Sequence, residues 1–251
     1  MRLTNCQILY NLLYEDGIEF SVFAPDSSAI AVQYSGKPLW IYVKDNFDEN
    51  NLQKFLINCV REFEKKNKKI SGIVSTQKIA NFFEGINGNH YATINRWEIA
   101  AFYLPKPFDY IPQGQISLFC LKDVTMVSEW IADFYEKALG TNLQDGLKTA
   151  TALIIGEKLF CLKAKGFGIV AMGMTIPLSC GMSRLNLIYT PPSYRGRGFG
   201  KDMTALLANK LQEEGTLPVL YARVENISAM RLYQSLGFIE AGRLTELRFG
   251  G

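Results

Sequence analysis

Between Arg195 and Lys201 the chain reads Arg-Gly-Arg-Gly-Phe-Gly-Lys. Three glycines within five residues carry no Cβ, so bare backbone there can approach a ligand closely. Apolar residues at Met203, Leu206, Leu207 and Leu211 recur at spacings of three and four, which predicts a helix that begins where the loop ends and stops at Gly215. The first-turn N–H groups of such a helix have no internal partner and carry the positive end of its dipole. Arg195, Arg197 and Lys201 put three positive charges at the same point. Free donors, a positive dipole end and cationic side chains together suit a phosphate group. A flexible basic loop that touches nucleic acid, or touches nothing, uses the same letters.

Two familiar phosphate loops do not fit. In the dinucleotide fingerprint G-x-G-x-x-G the third glycine falls three residues after the second, whereas Gly200 follows Gly198 by two. The P-loop fails because Gly200-Lys201 is followed by Asp202, and Arg195 stands where its first glycine belongs. Ahead of the loop, the apolar run Leu185 to Tyr189 reads as a strand, and Pro191 and Pro192 end it. The pattern R-x-x-G-x-G over Arg195–Gly200, set between a strand and a helix, resembles the pyrophosphate loop of the GCN5-related N-acetyltransferases, the GNAT superfamily. A second stretch, N-I-S-A-M-R-L-Y-Q-S-L-G-F from Asn226 to Phe238, resembles that family's N-x-x-A-x-x-L-Y-x-x-x-G-F.

The resemblance implies acetyl-CoA as cofactor, its pyrophosphate held around Arg195, Gly196, Arg197, Gly198, Phe199, Gly200 and Lys201. It implies that the pantetheine arm adds itself like a strand to main-chain groups of Ile188, Tyr189 and Thr190. Asn226 matches a residue that contacts the arm, and it is equally an ordinary helix N-cap. Tyr233 matches the tyrosine beside the thioester sulfur, the general acid for the departing thiolate. A phenol of pKa about 10, against about 8.5 for a thiol, can serve as that proton donor if held within hydrogen-bond reach. On its own letters Tyr233 is as readily a core aromatic. Glu129, Glu225 and Glu246 lie in the same half of the chain, and no spacing selects one as base.

The elements that must carry these residues follow from the pattern. At 251 residues, 48% hydrophobic and 20% charged, the chain is globular in composition and long enough for two domains. Residues 1–112 hold 12 basic and 12 acidic side chains and the remainder 15 against 12, so the net charge of +3 lies wholly with the glycine loop's half. That suits a local anionic cofactor better than a broad nucleic-acid surface. Cys6, Cys59, Cys120, Cys161 and Cys180 are scattered and odd in number, which argues against disulfides or zinc and for a reducing cytoplasm. A single histidine, His90 in a turn-rich stretch, leaves little metal chemistry. No secretory signal and no run of 18 apolar residues is visible.

The expected fold is α/β (α+β): a GNAT-like mixed, splayed central sheet flanked by helices over residues 113–251, preceded by a second, smaller α/β domain over 1–112. Pro105, Pro107, Pro112 and Gly114 mark the boundary. The first domain reads as strand, helix, strand, helix, strand. Leu39–Val43 is a strand, Leu52 to Phe63 a helical stripe, and a second helix is expected to stop at Gly85. Nothing in it matches R-x-x-G-x-G, which suggests a degenerate tandem copy. The second half is expected to run strand, two helices, three strands, helix, strand, helix, strand. Asp123 should cap its first helix, which carries Val127, Trp130, Ile131, Phe134 and Ala138, and its second should begin near Asn142. Leu244 to Phe249 should close its sheet. The implied function is acetyl transfer from acetyl-CoA to a primary amine by direct attack, the alternative being a non-catalytic acyl-CoA-binding or sensing module. Expected partners are acetyl-CoA and an amine-bearing small molecule or peptide, with no metal, nucleic acid or membrane.

Overall fold

The computed structural model describes residues 18–34, 37–44, 47–66, 68–87, 90–140, 143, 145–178 and 181–250. Cys6, Cys180, Asn142 and the side chain of Ala138 lie outside this description. The chain divides into two compact units. One contains residues up to Ala101 with Ala222–Glu225 and Ala241–Gly251, and the other contains Phe102–Tyr221 with Asn226–Glu240. The long first segment of the first unit ends at Ala101, and the proline-rich stretch from Pro105 to Gly114 belongs to the second.

The first unit holds β1 (Ile18–Phe23), β2 (Ala29–Tyr34), β3 (Leu39–Val43), α1 (Glu49–Lys65), β4 (Gly72–Ser75), α2 (Gln77–Asn87), most of β5 (Thr93–Tyr103) and most of β11 (Ile239–Phe249). Its strand order is β1-β2-β3-β4-β11-β5. Asp48 caps α1 by accepting from the N–H groups of Asn50 and Asn51 at 2.9 and 3.1 Å. The expected stripe from Leu52 to Phe63 is buried against the strands. α2 does not stop at Gly85 but runs to Asn87, where Ile86 packs on the core. Burying that turn outweighs the ~1 kcal/mol a helical glycine costs.

The last strand corrects a second expectation. Thr245 to Arg248 pair antiparallel with Ser75 to Gly72 of β4, so they complete the first unit's sheet rather than the second's. Alternation explains the choice, since Leu247 and Phe249 both point into the first core. There the Phe249 ring stacks on Phe83 at 5.5 Å.

The second unit contains β6 (Gln115–Leu118), α3 (Val124–Phe134), α4 (Gly146–Ile155), β7 (Leu159–Ala164), β8 (Gly168–Pro177), β9 (Met182–Tyr189), α5 (Phe199–Glu213), β10 (Leu217–Arg223, to Tyr221) and α6 (Ile227–Ser235). This is the predicted sequence of elements up to the last strand, which the first unit takes. Its strand order is β10-β9-β8-β7-β6, with β9 and β10 parallel and the rest an antiparallel meander. The fold class is thus mixed α/β, with parallel and antiparallel strands flanked by helices. α3 continues through a π turn, Tyr135–Leu139, to Gly140. Asp123 precedes α3 without capping it, because its carboxylate is taken up by the N–H of Cys120 at 3.2 Å. α3 and α4 bury Val127, Ile131, Ala150 and Ile154 against one face of β7–β9. α5 covers the other face, where Gly173 makes room for it. A Cβ there would come within 2.8 Å of both Ile188 Cδ1 and Leu207 Cδ1.

Candidate active site

The site grows out of β9. Its parallel ladder with β10 pairs Met182–Arg184 with Leu217–Val219 and extends no further among the described residues. Leu185 to Tyr189 thus keep a flank of main-chain groups unpaired on the β10 side. On the opposite side the register with β8 shifts between Met172 and Met174, so that Leu187 and Ile188 together oppose Gly173. This is a β-bulge. Leu187 takes φ +50°, a left-handed conformation costing a non-glycine residue about 1–3 kcal/mol, and it is held there by burial in the α3–α4 core. The bulge re-aims the strand end, and nothing in the letters of β9 announces it.

Tyr189 ends the strand with its side chain buried against α3. Its ring lies 6.0 Å from Trp130, and its hydroxyl donates to the Asp133 carboxylate. Burial, then that carboxylate, push the Tyr189 hydroxyl well above the usual phenol range. Asp133 also pairs with Lys137 at 2.6 Å, and hydrogen bonds from Lys137 and Tyr189 hold its carboxyl below the usual range. Beyond Thr190 and Pro191 the chain makes one 3-10 turn, Pro192–Tyr194, and enters the glycine loop.

The loop has the geometry its glycines predict. Gly196 and Gly198 take φ +74° and +87°, and a Cβ built at either meets nothing within 4 Å, so their open sides face free space. Gly198 is the N-cap of α5, and its carbonyl accepts from Lys201 and Asp202. The N–H groups of Gly196, Arg197, Gly198, Phe199 and Gly200 find no acceptor among the described residues. Phe199 anchors the loop from beneath, its ring 5.6 Å from Phe167 and 6.4 Å from Tyr194.

The cationic side chains do not all project outward. Arg195 turns back toward the strand, donating through Nε to the Thr190 carbonyl at 3.0 Å. The Arg197 guanidinium sits over Phe167 at 5.1 Å, and the Lys201 ammonium over Tyr110 at 4.4 Å. Thr190 Oγ1 is buried with no hydrogen-bond partner, and a Cβ on Gly200 would stand 3.5 Å from it and 3.6 Å from Leu232 Cδ1. Thr190, the first turn of α5 and the middle of α6 therefore meet. That contact connects the loop to the helix carrying Tyr233.

Tyr233 is buried between Phe102 and Phe238, at 6.1 and 6.0 Å, and burial pushes its hydroxyl up to about 12. Asn226 caps α6, accepting from Ala229 N–H at 3.2 Å and from the Ser228 hydroxyl at 2.9 Å. Its amide nitrogen is not used in either bond. Of the carboxylates without a role, Glu129 and Glu225 are exposed, while Glu246 is buried and paired with Arg248 at 2.6 Å. His90 is exposed.

One part of the site lay hidden in the proline-rich boundary segment. Asp202, in the first turn of α5, is 2% exposed and accepts from the Tyr110 hydroxyl at 2.6 Å and from the Gln113 N–H at 3.0 Å. The segment thus lies against the loop's helix. Removing the shared acceptor in Asp202→Ala strands both donors and is expected to destabilise the protein by about 1–3 kcal/mol in urea denaturation. Burial and the Asp202 hydrogen bond push the Tyr110 hydroxyl up to about 12. With Tyr110, Tyr189 and Tyr233 all raised, their protonated forms favour the folded state. That stability is complete below pH about 10. It should be lost as pH climbs toward 12, so the melting temperature should fall steeply there.

Residues 172–248, spanning β8 to β11 with the whole glycine loop, match the family model described as FR47-like protein. No functionally curated protein matches the chain in sequence. Among solved structures, a GCN5-related N-acetyltransferase from Kribbella flavida superposes over 99% of this chain and 95% of its own, with TM-score 0.69 and 15% identity. One from Sphaerobacter thermophilus covers 96% of this chain and 84% of its own, with TM-score 0.65 and 17% identity. A GNAT-family acetyltransferase from Colwellia psychrerythraea gives 91%, 84%, 0.60 and 15%. The chain has the GNAT fold.

Proposed function

We propose that the protein is an acetyl-CoA-dependent N-acetyltransferase that transfers an acetyl group to a primary amine by direct attack. The observation supporting this reading most strongly is the turn at Gly196–Gly200. Its five adjacent main-chain donors lack acceptors among the described residues, and two of the glycines that carry them are open to free space. The buried, unpartnered Thr190 hydroxyl adds a polar atom at the same place. Such a set fits a diphosphate. Each hydrogen bond to a charged group contributes about 1.5–3 kcal/mol, so a handful suffices for micromolar affinity, about 8 kcal/mol net.

Acetyl-CoA supplies the acyl group already activated as a thioester. The chain's own residues then orient it. The free flank of β9 offers main-chain groups of Ile188, Tyr189 and Thr190 to an amide-bearing arm as an added strand. The Asn226 amide nitrogen is open for a further contact. Tyr233, pushed up to about 12, keeps its proton throughout the physiological range. Its role is therefore that of general acid: it gives its proton to the departing thiolate and regains one from the acylated amine.

Direct attack is favoured because the described thiols make poor nucleophiles. Burial pushes the Cys59 thiol up to about 12, Cys161 is buried, and the Asp123 hydrogen bond raises Cys120. The scattered cysteines also suit a reducing cytoplasm. The acceptor class is open to direct assay. Incubation with acetyl-CoA and a panel of polyamines, amino acids and lysine peptides should release thiol only when an amine is present, with acetylated product seen by mass. Tight acetyl-CoA binding with no turnover on any amine would overturn the enzyme reading in favour of an acyl-CoA-binding module.

A further inference from the structure

The arginine of the R-x-x-G-x-G pattern raises a question that its glycines do not. A glycine-rich turn lets backbone approach an anion, yet glycine also loses the most conformational freedom when fixed. A turn free to wander binds weakly, because the ligand must order it. Something must hold it.

The Asp133 carboxylate on α3 is the meeting point of three groups. It accepts from the Tyr189 hydroxyl, pairs with Lys137 at 2.6 Å, and stands 4.0 Å from Arg195 Nη2. Arg195 simultaneously donates through Nε to the Thr190 carbonyl at 3.0 Å and lies 5.8 Å from the Tyr189 ring. These contacts close a loop of structure. α3 fixes Tyr189 at the last residue of β9, and the same carboxylate faces Arg195 six residues later. The chain between them is pinned at both ends, immediately before Gly196.

We infer that Asp133 and Tyr189 are positioning residues, which preset the diphosphate-binding turn by clamping Arg195 against the end of β9. The inference rests on the cofactor reading above and gives Arg195 a different task from direct contact with phosphate. Arginine suits this task because its rigid planar fork directs Nε at the Thr190 carbonyl and Nη2 toward the Asp133 carboxylate, a fixed geometry that the point charge of an ammonium lacks.

The test is coenzyme A titration by calorimetry, with steady-state kinetics, on wild type, Asp133→Asn, Tyr189→Phe, Arg195→Gln and the Asp133→Asn/Arg195→Gln double variant. Asp133→Asn and Arg195→Gln should each raise Kd and KM about fivefold. kcat at saturation should stay unchanged, and the double variant should bind no worse than Arg195→Gln alone. Tyr189→Phe removes one hydroxyl and provides the same readout should Asp133→Asn fail to fold. A lowered melting temperature with unchanged Kd, or strictly additive effects, would overturn the inference, leaving Asp133 a mere packing partner. A wild-type protein that binds no coenzyme A would overturn the cofactor reading itself, and this inference with it.

Discussion

Gly198→Val should reduce coenzyme A binding by more than about 100-fold, to below calorimetric detection. Two separable costs follow from the geometry. At φ +87° a β-branched residue occupies left-handed backbone, a strain of about 1–2 kcal/mol that falls on the fold. The larger cost falls on the ligand. A Cβ at this position meets no protein atom within 4 Å, so the added bulk occupies space outside the fold, over the exposed N–H groups. Hydrogen bonds of about 1.5–3 kcal/mol each are then lost several at a time. Gly200→Ala supplies the contrast. Its Cβ would make ordinary contacts at 3.5 and 3.6 Å with Thr190 Oγ1 and Leu232 Cδ1, at unexceptional φ, so binding should change less than twofold. Equal losses in both variants would mean that the two glycines serve the fold and not the ligand.

Tyr233→Phe should lower kcat by about 10²–10⁴-fold, the usual contribution of a positioned proton donor, while leaving the acetyl-CoA Kd nearly unchanged. The substitution is clean for a structural reason. Phenylalanine preserves the ring contacts with Phe102 and Phe238. Stability should hold or rise slightly. An unaltered kcat would remove Tyr233 from the chemistry and return it to the core.

How much of this was legible in the letters depends on how far apart the partners stand. Gly196 and Gly198 can be read directly, because left-handed backbone at a helix mouth demands glycine and few other uses put glycines two apart beside arginine. The stripe from Met203 to Leu211 is equally readable, since helix period and burial coincide. Leu187 is not. Its positive φ is imposed by a register shift against Gly173, and leucine in a strand run carries no mark of a bulge.

Long-range pairs are hidden for the same reason. Asp133 precedes Tyr189 by 56 residues, and Tyr110 precedes Asp202 by 92. Asp202 in particular shows in the sequence only as a letter that spoils a P-loop. β11 illustrates the limit at the level of fold. Its alternation correctly marks a strand, but alternation does not say which sheet it joins, and it pairs with β4 of the first unit.

The central claim is that main-chain donors at Gly196–Gly200 grip a diphosphate. It is tested most directly by titrating the protein with coenzyme A and with pantetheine, which keeps the arm and thiol and lacks the diphosphate. Micromolar binding of coenzyme A with pantetheine at least about 100-fold weaker is the predicted result. Comparable affinity for the two would contradict it.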